Sequence, residues 1–100
     1  MRTPYISIVI PTLNEERNIG PLLHGIRKVI GNYSYDIIIV DGNSTDRTVE
    51  IARKNSAKIL YDSVGKGSAL IKGLHAASGQ IVISMDADLS HEPKELKLLI

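Results

Sequence analysis

The sequence predicts an α/β fold, a three-layer sandwich built on a parallel sheet of strand order 3-2-1-4. Two observations carry this. Short β-branched runs alternate four times with segments of helical periodicity, the pattern of parallel βαβ units with right-handed crossovers and helices on both faces. The runs are almost purely apolar, while polar residues gather just after each of them. Strands buried on both faces read this way, and ligands in such sheets bind outside the carboxyl ends of the strands. The chain has 100 residues, enough for one domain and not two.

Tyr5 to Ile10 reads as the first strand, bounded by Pro11. Asn14 can cap the first helix, with Glu15 and Glu16 favoured by the positive dipole end of its first turn. Ile19, Leu22, Leu23, Ile26 and Ile30 then recur at helical spacing, and Gly31-Asn32 closes the helix. Asp36 to Val40 is a second buried strand, closed by Asp41-Gly42-Asn43. Ser44 or Thr45 can cap a second helix whose inner face carries Val49, Ile51 and Ala52. Lys58 to Tyr61 is a short third strand. The loop Asp62 to Gly67 leads to a third helix that packs through Leu70, Gly73, Leu74 and Ala77 and stops at Ser78-Gly79. Gln80 to Met85 is a fourth strand, ending in Asp86-Ala87-Asp88. Pro93 suits the first turn of another helix. Its apolar face, Leu96, Leu99 and Ile100, predicts a homo-oligomer formed through that helix.

Composition narrows the function. Hydrophobic residues are 43% and charged residues 23%, so the chain is not disordered by composition. A net charge of +1 gives no field for nucleic acid, and four tyrosines with no Phe or Trp give no stacking platform. With no cysteines, disulfides, thiolate catalysis and zinc–thiolate sites are excluded. No apolar run approaches the roughly 20 residues of a membrane-spanning helix. Met1 to Tyr5 opens no signal-peptide h-region. A cytoplasmic protein is expected.

Four polar clusters follow the strands. Asp86 and Asp88 are close enough to repel unless a cation neutralises them, and Mg²⁺ or Mn²⁺ would do so while also touching phosphate oxygens. Ala87 between them is small enough for close approach; the plainer alternative is a solvated loop in which Asp88 caps the next helix. Asp41 is acceptor-only and can take hydrogen bonds from a nucleobase or ribose. Gly42 and Asn43 tolerate the positive φ of a tight turn. Pro11 to Glu16 can hug a nucleotide with Glu15 as an acceptor, or can simply begin a helix. Gly65-Lys66-Gly67-Ser68 offers backbone N–H groups and a lysine to phosphate. It lacks the spacing of a Walker loop and matches the dinucleotide fingerprint weakly, Leu70 standing where Gly or Ala is needed. His24 and His75 read as surface residues. His91, three residues after Asp88, can reach a metal or phosphate, or cap a helix.

Together, Ile8 to Glu15 (IVIPTLNE), Ile39 to Thr48 (IVDGNSTDRT), Gly65 to Ala69 (GKGSA) and Met85 to His91 (MDADLSH) resemble the family 2 glycosyltransferases of the GT-A fold. The last motif is most similar to that of the dolichyl (polyprenyl) phosphate mannose synthases. The resemblance implies a Rossmann-like sheet and a nucleotide-sugar donor, GDP-mannose or a UDP-hexose. It implies metal-dependent transfer of mannose or glucose, with inversion, to an acceptor such as a polyprenyl phosphate at the cytoplasmic face of a membrane. By matched position, Pro11, Asn14 and Glu15 would line the nucleoside pocket and Asp41 would face the base, with Asn43 beside it. Lys66 and Ala87 would lie near the nucleotide, and Asp86 and Asp88 would form the metal–diphosphate site. Gly42 stands where many relatives carry a second Asp, and Ser90 where the synthases often carry Gln. No catalytic base is visible. Family members continue well past the D-x-D, so residues 1–100 are expected to be a single nucleotide-sugar-binding domain truncated at its C-terminal end.

Three other classes stay open on the residues. A non-catalytic nucleotide-binding module would bind without turnover. A dinucleotide-dependent oxidoreductase would bind NAD without metal. A phosphatase of the haloacid dehalogenase type also uses D-x-D after a strand, but on an early strand with a long chain behind it.

Overall fold

The structure, a computed structural model, describes residues 4–88. Its elements are β1 (Ile6–Thr12), α1 (Glu16–Ile30), β2 (Tyr35–Asp41), α2 (Thr48–Lys54), β3 (Lys58–Tyr61), α3 (Lys66–Ala76) and β4 (Ile81–Ser84). The four strands form one parallel sheet of order β3-β2-β1-β4, the order the sequence predicts.

Alternation along β1 and β2 divides the core into two layers. Ile6, Ile8 and Ile10 of β1, with Ile37 and Ile39 of β2, pack against Ile19, Leu22, Leu23, Ile26 and Ile30 of α1. Ala52 of α2 joins this layer. All five periodic residues of α1 are fully buried, each contributing about 1.5–3 kcal/mol relative to exposure. On the other face Val9, Ile38 and Val40 meet Ala69 of α3.

The structure departs from expectation at four places. First, β1 runs through Pro11 to Thr12. The strand's donors and acceptors alternate between neighbours: Gly42 N–H donates to Thr12 O on the β2 side, and Met85 N–H donates to Val9 O on the β4 side. Pro11, like Val9, faces β4, whose pairing has already ended at Val9↔Ser84. The proline therefore removes no ladder bond. Second, Asn14 does not cap α1. The helix begins at Glu16, and Asn14 has a left-handed φ of 54°. Ser44 and Thr45 do not cap α2, which begins at Thr48. Third, Gly31 closes α1 as expected, but in right-handed backbone rather than the left-handed conformation common at glycine caps. Fourth, α3 approaches the sheet through Ala69 and Gly73, while Leu74 is 45% exposed. Residues i and i+4 share a helical face and residue i+1 lies about 100° round from it, so a contact line through Ala69 and Gly73 turns Leu74 outward. The expected helix at Pro93, with Leu96, Leu99 and Ile100, lies outside the described residues.

Candidate functional site

The carboxyl ends of β1 and β2 and the segments after β3 and β4 enclose a cleft of about 310 Å³. Of the residues singled out in the sequence, Pro11, Glu15, Lys66, Asp86, Ala87 and Asp88 line it. Asn14, Asp41 and Asn43 are not among the residues that line it.

Asp41 ends β2 with its residue only 1% exposed. Its Oδ1 accepts from Thr12 Oγ1 at 2.7 Å and Ser44 Oγ at 2.6 Å, and its Oδ2 from Ser44 N–H at 2.8 Å. The carboxylate ties β1 to the turn after β2. Asn43 takes the positive φ expected of that turn, 69°, while Gly42 does not. A Cβ at Gly42 would meet only ordinary contacts, Asp62 O and Thr12 O at 3.5 Å. Neither strain nor close approach requires glycine there.

The two strand-to-helix loops satisfy each other's helix ends. Asn14 Oδ1 accepts from Thr45 N–H, and Asn14 N–H donates to Ser44 Oγ, both at 2.8 Å. Glu15 N–H donates to buried Thr48 Oγ1 at 2.8 Å, and Glu16 N–H to Asp46 Oδ2 at 3.2 Å. Arg47 N–H returns a bond to Glu16 Oε2. Backbone donors that a local cap would take are thus met across the loops. This holds Glu15 at the cleft.

Asp46 closes this lattice through Thr48 N–H and Oγ1. Burial pushes its carboxyl up, but the hydrogen bonds from Thr48 and Glu16 outweigh that and hold it below the usual carboxylate range. A depressed folded pKa contributes stability above the unfolded pKa of about 3.9, lost as pH falls through the folded value. Asp46→Asn is therefore expected to lower the urea midpoint at pH ~6, with the gap to wild type closing towards pH ~3. A gap independent of pH would mean that the charge of Asp46 contributes nothing.

Lys66 and Asp86 form an ion pair across the cleft, from the first turn of α3 to the segment after β4. Hydrogen bonding and charge from Asp86, against some burial and with help from Asp88, raise the Lys66 ammonium above its ordinary pKa. It stays charged. Asp86 and Asp88 supply two hard oxygen donors suited to Mg²⁺ or Mn²⁺. Among the described residues no group of three or more His, Cys, Asp or Glu could hold a metal ion. Any ion on these two aspartates needs further oxygen ligands, which water or a diphosphate supplies. His24 and His75 are exposed, as expected; His91 and Ser90 lie outside the described residues.

Asp62 was not singled out in the sequence, yet it lines the cleft. It lies at the carboxyl end of β3 as Asp41 does at that of β2 and Asp86 at that of β4, and that shared position was the available signal. The bond from Ser68 Oγ, at 2.7 Å, and that from Val64 N–H hold its carboxyl below the usual range.

A family model described as "Glycosyl transferase family 2" matches residues 7–100. The dolichol-phosphate mannosyltransferase of Pyrococcus furiosus is 38% identical over 101 residues, covering 95% of this chain and 29% of that protein. Glucosyl-3-phosphoglycerate synthase of Mycobacterium tuberculosis, solved with Mn²⁺, UDP and glucosyl-3-phosphoglycerate, superposes with a TM-score of 0.79 and 31% identity over 93% of this chain and 37% of that one. A mannosyltransferase of Pyrobaculum calidifontis, solved with GDP-mannose and Mn²⁺, gives 0.76 and 28% over 88% of this chain and 28% of that one. The chain thus spans between 28% and 37% of these three proteins.

Proposed function

The chain belongs to glycosyl transferase family 2, and from that premise we propose that it is the donor-binding part of a hexosyltransferase. The donor is a nucleoside-diphosphate hexose, GDP-mannose or a UDP-hexose. The acceptor is a polyprenyl phosphate at a membrane surface. One observation carries the reading furthest: a single cleft at the strand ends brings Lys66, Asp86 and Asp88 together beside the uncharged wall of Pro11 and Ala87. A diphosphate needs the charged side and a nucleoside the other. At about 310 Å³ the cleft is at the lower end for a small-molecule site, a size that fits part of a donor.

Asp86 and Asp88 would hold Mg²⁺ or Mn²⁺, whose charge offsets that developing on the leaving nucleoside diphosphate. The relatives solved with Mn²⁺ and UDP or GDP-mannose support this choice. Lys66 adds a fixed positive charge to the same region. Pro11, Glu15 and Ala87 bound the nucleoside, and the Asp41–Thr12–Ser44 brace keeps their loops in register. A lipid phosphate is already anionic when it attacks the anomeric carbon, so that transfer asks for no general base. The name of the Pyrococcus furiosus relative supports this acceptor class.

Calorimetric titration of this chain with GDP and UDP, each with and without Mn²⁺, tests the reading, with NAD as control. Binding that requires Mn²⁺ is expected, and the preferred base narrows the donor. Metal-independent binding of NAD would overturn the reading. Absence of binding by either nucleotide would show that these residues do not form a donor site on their own.

A further inference from the structure

We propose that Lys66 sits in the divalent cation's place on Asp86, so that the ion must displace the ammonium to bind. The inference rests on the metal site of the proposed function.

The Lys66 ammonium contacts Asp86 Oδ1, an oxygen of the pair that would ligate the ion. Both residues line the main cleft and a smaller hollow of about 90 Å³ beside it. A cation on Asp86 Oδ1 and the ammonium therefore compete for one acceptor. Two further observations favour exchange over a fixed structural contact. The Lys66 side chain is 69% exposed and that of Asp86 32%, and ion pairs this open contribute roughly 0–1 kcal/mol to stability. The space beside Lys66 is also open, since a Cβ added at Gly65 or Gly67 would meet nothing within 4 Å. The lysine can swing away without disturbing the core.

Charge explains why the exchange suits a diphosphate. Lys66 offsets only part of the negative charge of Asp86 and Asp88, and Glu15 and Asp62 on the same lining add to it. A divalent ion in place of the ammonium neutralises the aspartates and repels Lys66, which is then available to an anion in the same cleft. Any anion that takes up the released ammonium favours the ion-bound arrangement. By linkage the ion must strengthen that anion's binding by the same factor.

The test is titration of Mn²⁺ alone, with no nucleotide, into wild type, Lys66→Met and Lys66→Arg. Removing the competitor is expected to tighten Mn²⁺ binding by about twofold to fivefold, the worth of an exposed ion pair. Lys66→Arg, which keeps a cation on Asp86, is expected to stay near wild type. Thermal melts check that the variants are folded. Unchanged or weaker Mn²⁺ binding in Lys66→Met overturns the exchange, as does tightening in Lys66→Arg equal to that in Lys66→Met. The nucleotide titrations above report separately on the donor reading. Tighter Mn²⁺ binding in Lys66→Met without any Mn²⁺-dependent nucleotide binding would sink that reading and leave the exchange standing.

Discussion

An Asp88→Ala variant is expected to keep its fold and lose its Mn²⁺-dependent affinity for nucleotide. Asp88 is exposed and belongs to neither core cluster. Substitutions at such positions usually change stability by less than about 0.5 kcal/mol, so the melting temperature should barely move. Its effect on the ion is of another size. Hard divalent cations are held by the number and charge of their oxygen ligands, and among the described residues no group of three or more His, Cys, Asp or Glu could hold the ion instead. Losing even an outer-shell partner typically costs a metal site about 10–100-fold. Losing one of two carboxylates should cost at least the upper end of that range. The measurement is titration of GDP and UDP with Mn²⁺ present and absent. Metal-dependent binding that survives in Asp88→Ala would remove Asp88 from the metal site.

The sheet was legible because its strands are apolar on both faces. No polar face interrupts Ile6 to Ile10 or Ile37 to Val40 except Ser7, whose buried hydroxyl accepts from Gly79 N–H. Alternation with α1, whose five periodic residues are all buried, then left little choice of topology. The cap of α1 was not legible, for a physical reason. Capping rules look a few residues along the chain, whereas Asn14 meets Thr45 and Glu15 meets Thr48, more than thirty residues away. The polar residues were noticed, but their partners lie in the neighbouring loop. The end of β1 was missed because Pro11 reads as a strand breaker, and only the early end of β4 makes its missing N–H harmless.

At the site, residues immediately after a strand were legible because the carboxyl ends of the strands converge. That reasoning reaches Pro11, Lys66, Asp86, Ala87 and Asp88. It does not say which way a side chain turns. Asp41 has the right position and chemistry for a ligand contact, yet its oxygens are taken up by Thr12 and Ser44. Asp62 has the same kind of position and reaches the cleft, but was read as part of a loop. A small hydroxyl nearby decides much here, and its partner cannot be assigned before the fold is known.

Gly73→Ala should cost stability although alanine is the better helix former. On α3 an added Cβ would lie 2.2 Å from Val9 Cγ1 and 3.2 Å from Val40 Cγ2. Favourable carbon contacts lie at about 3.5–4.0 Å, so the overlap with Val9 exceeds an ångström. Val9 and Val40 are fully buried on adjacent strands, and β-branched side chains have little χ1 freedom with which to yield. The helix must lift instead. Alanine gains about 1 kcal/mol in propensity, while overpacking typically costs about 1–3 kcal/mol, occasionally more. With so deep an overlap the upper end governs, leaving a net loss of about 2 kcal/mol. For a domain this size that is a fall of roughly 8–16 °C in Tm. Gly65→Ala and Gly67→Ala, which meet nothing, are the controls: Gly65→Ala, at the helix cap, should melt near wild type, and Gly67→Ala, inside α3, at or above it. Val9→Ala combined with Gly73→Ala should be more stable than the sum of the single changes, by about 1 kcal/mol, because the cavity of one receives the methyl of the other. A Gly73→Ala protein that melts with wild type would mean that α3 does not press on the sheet here.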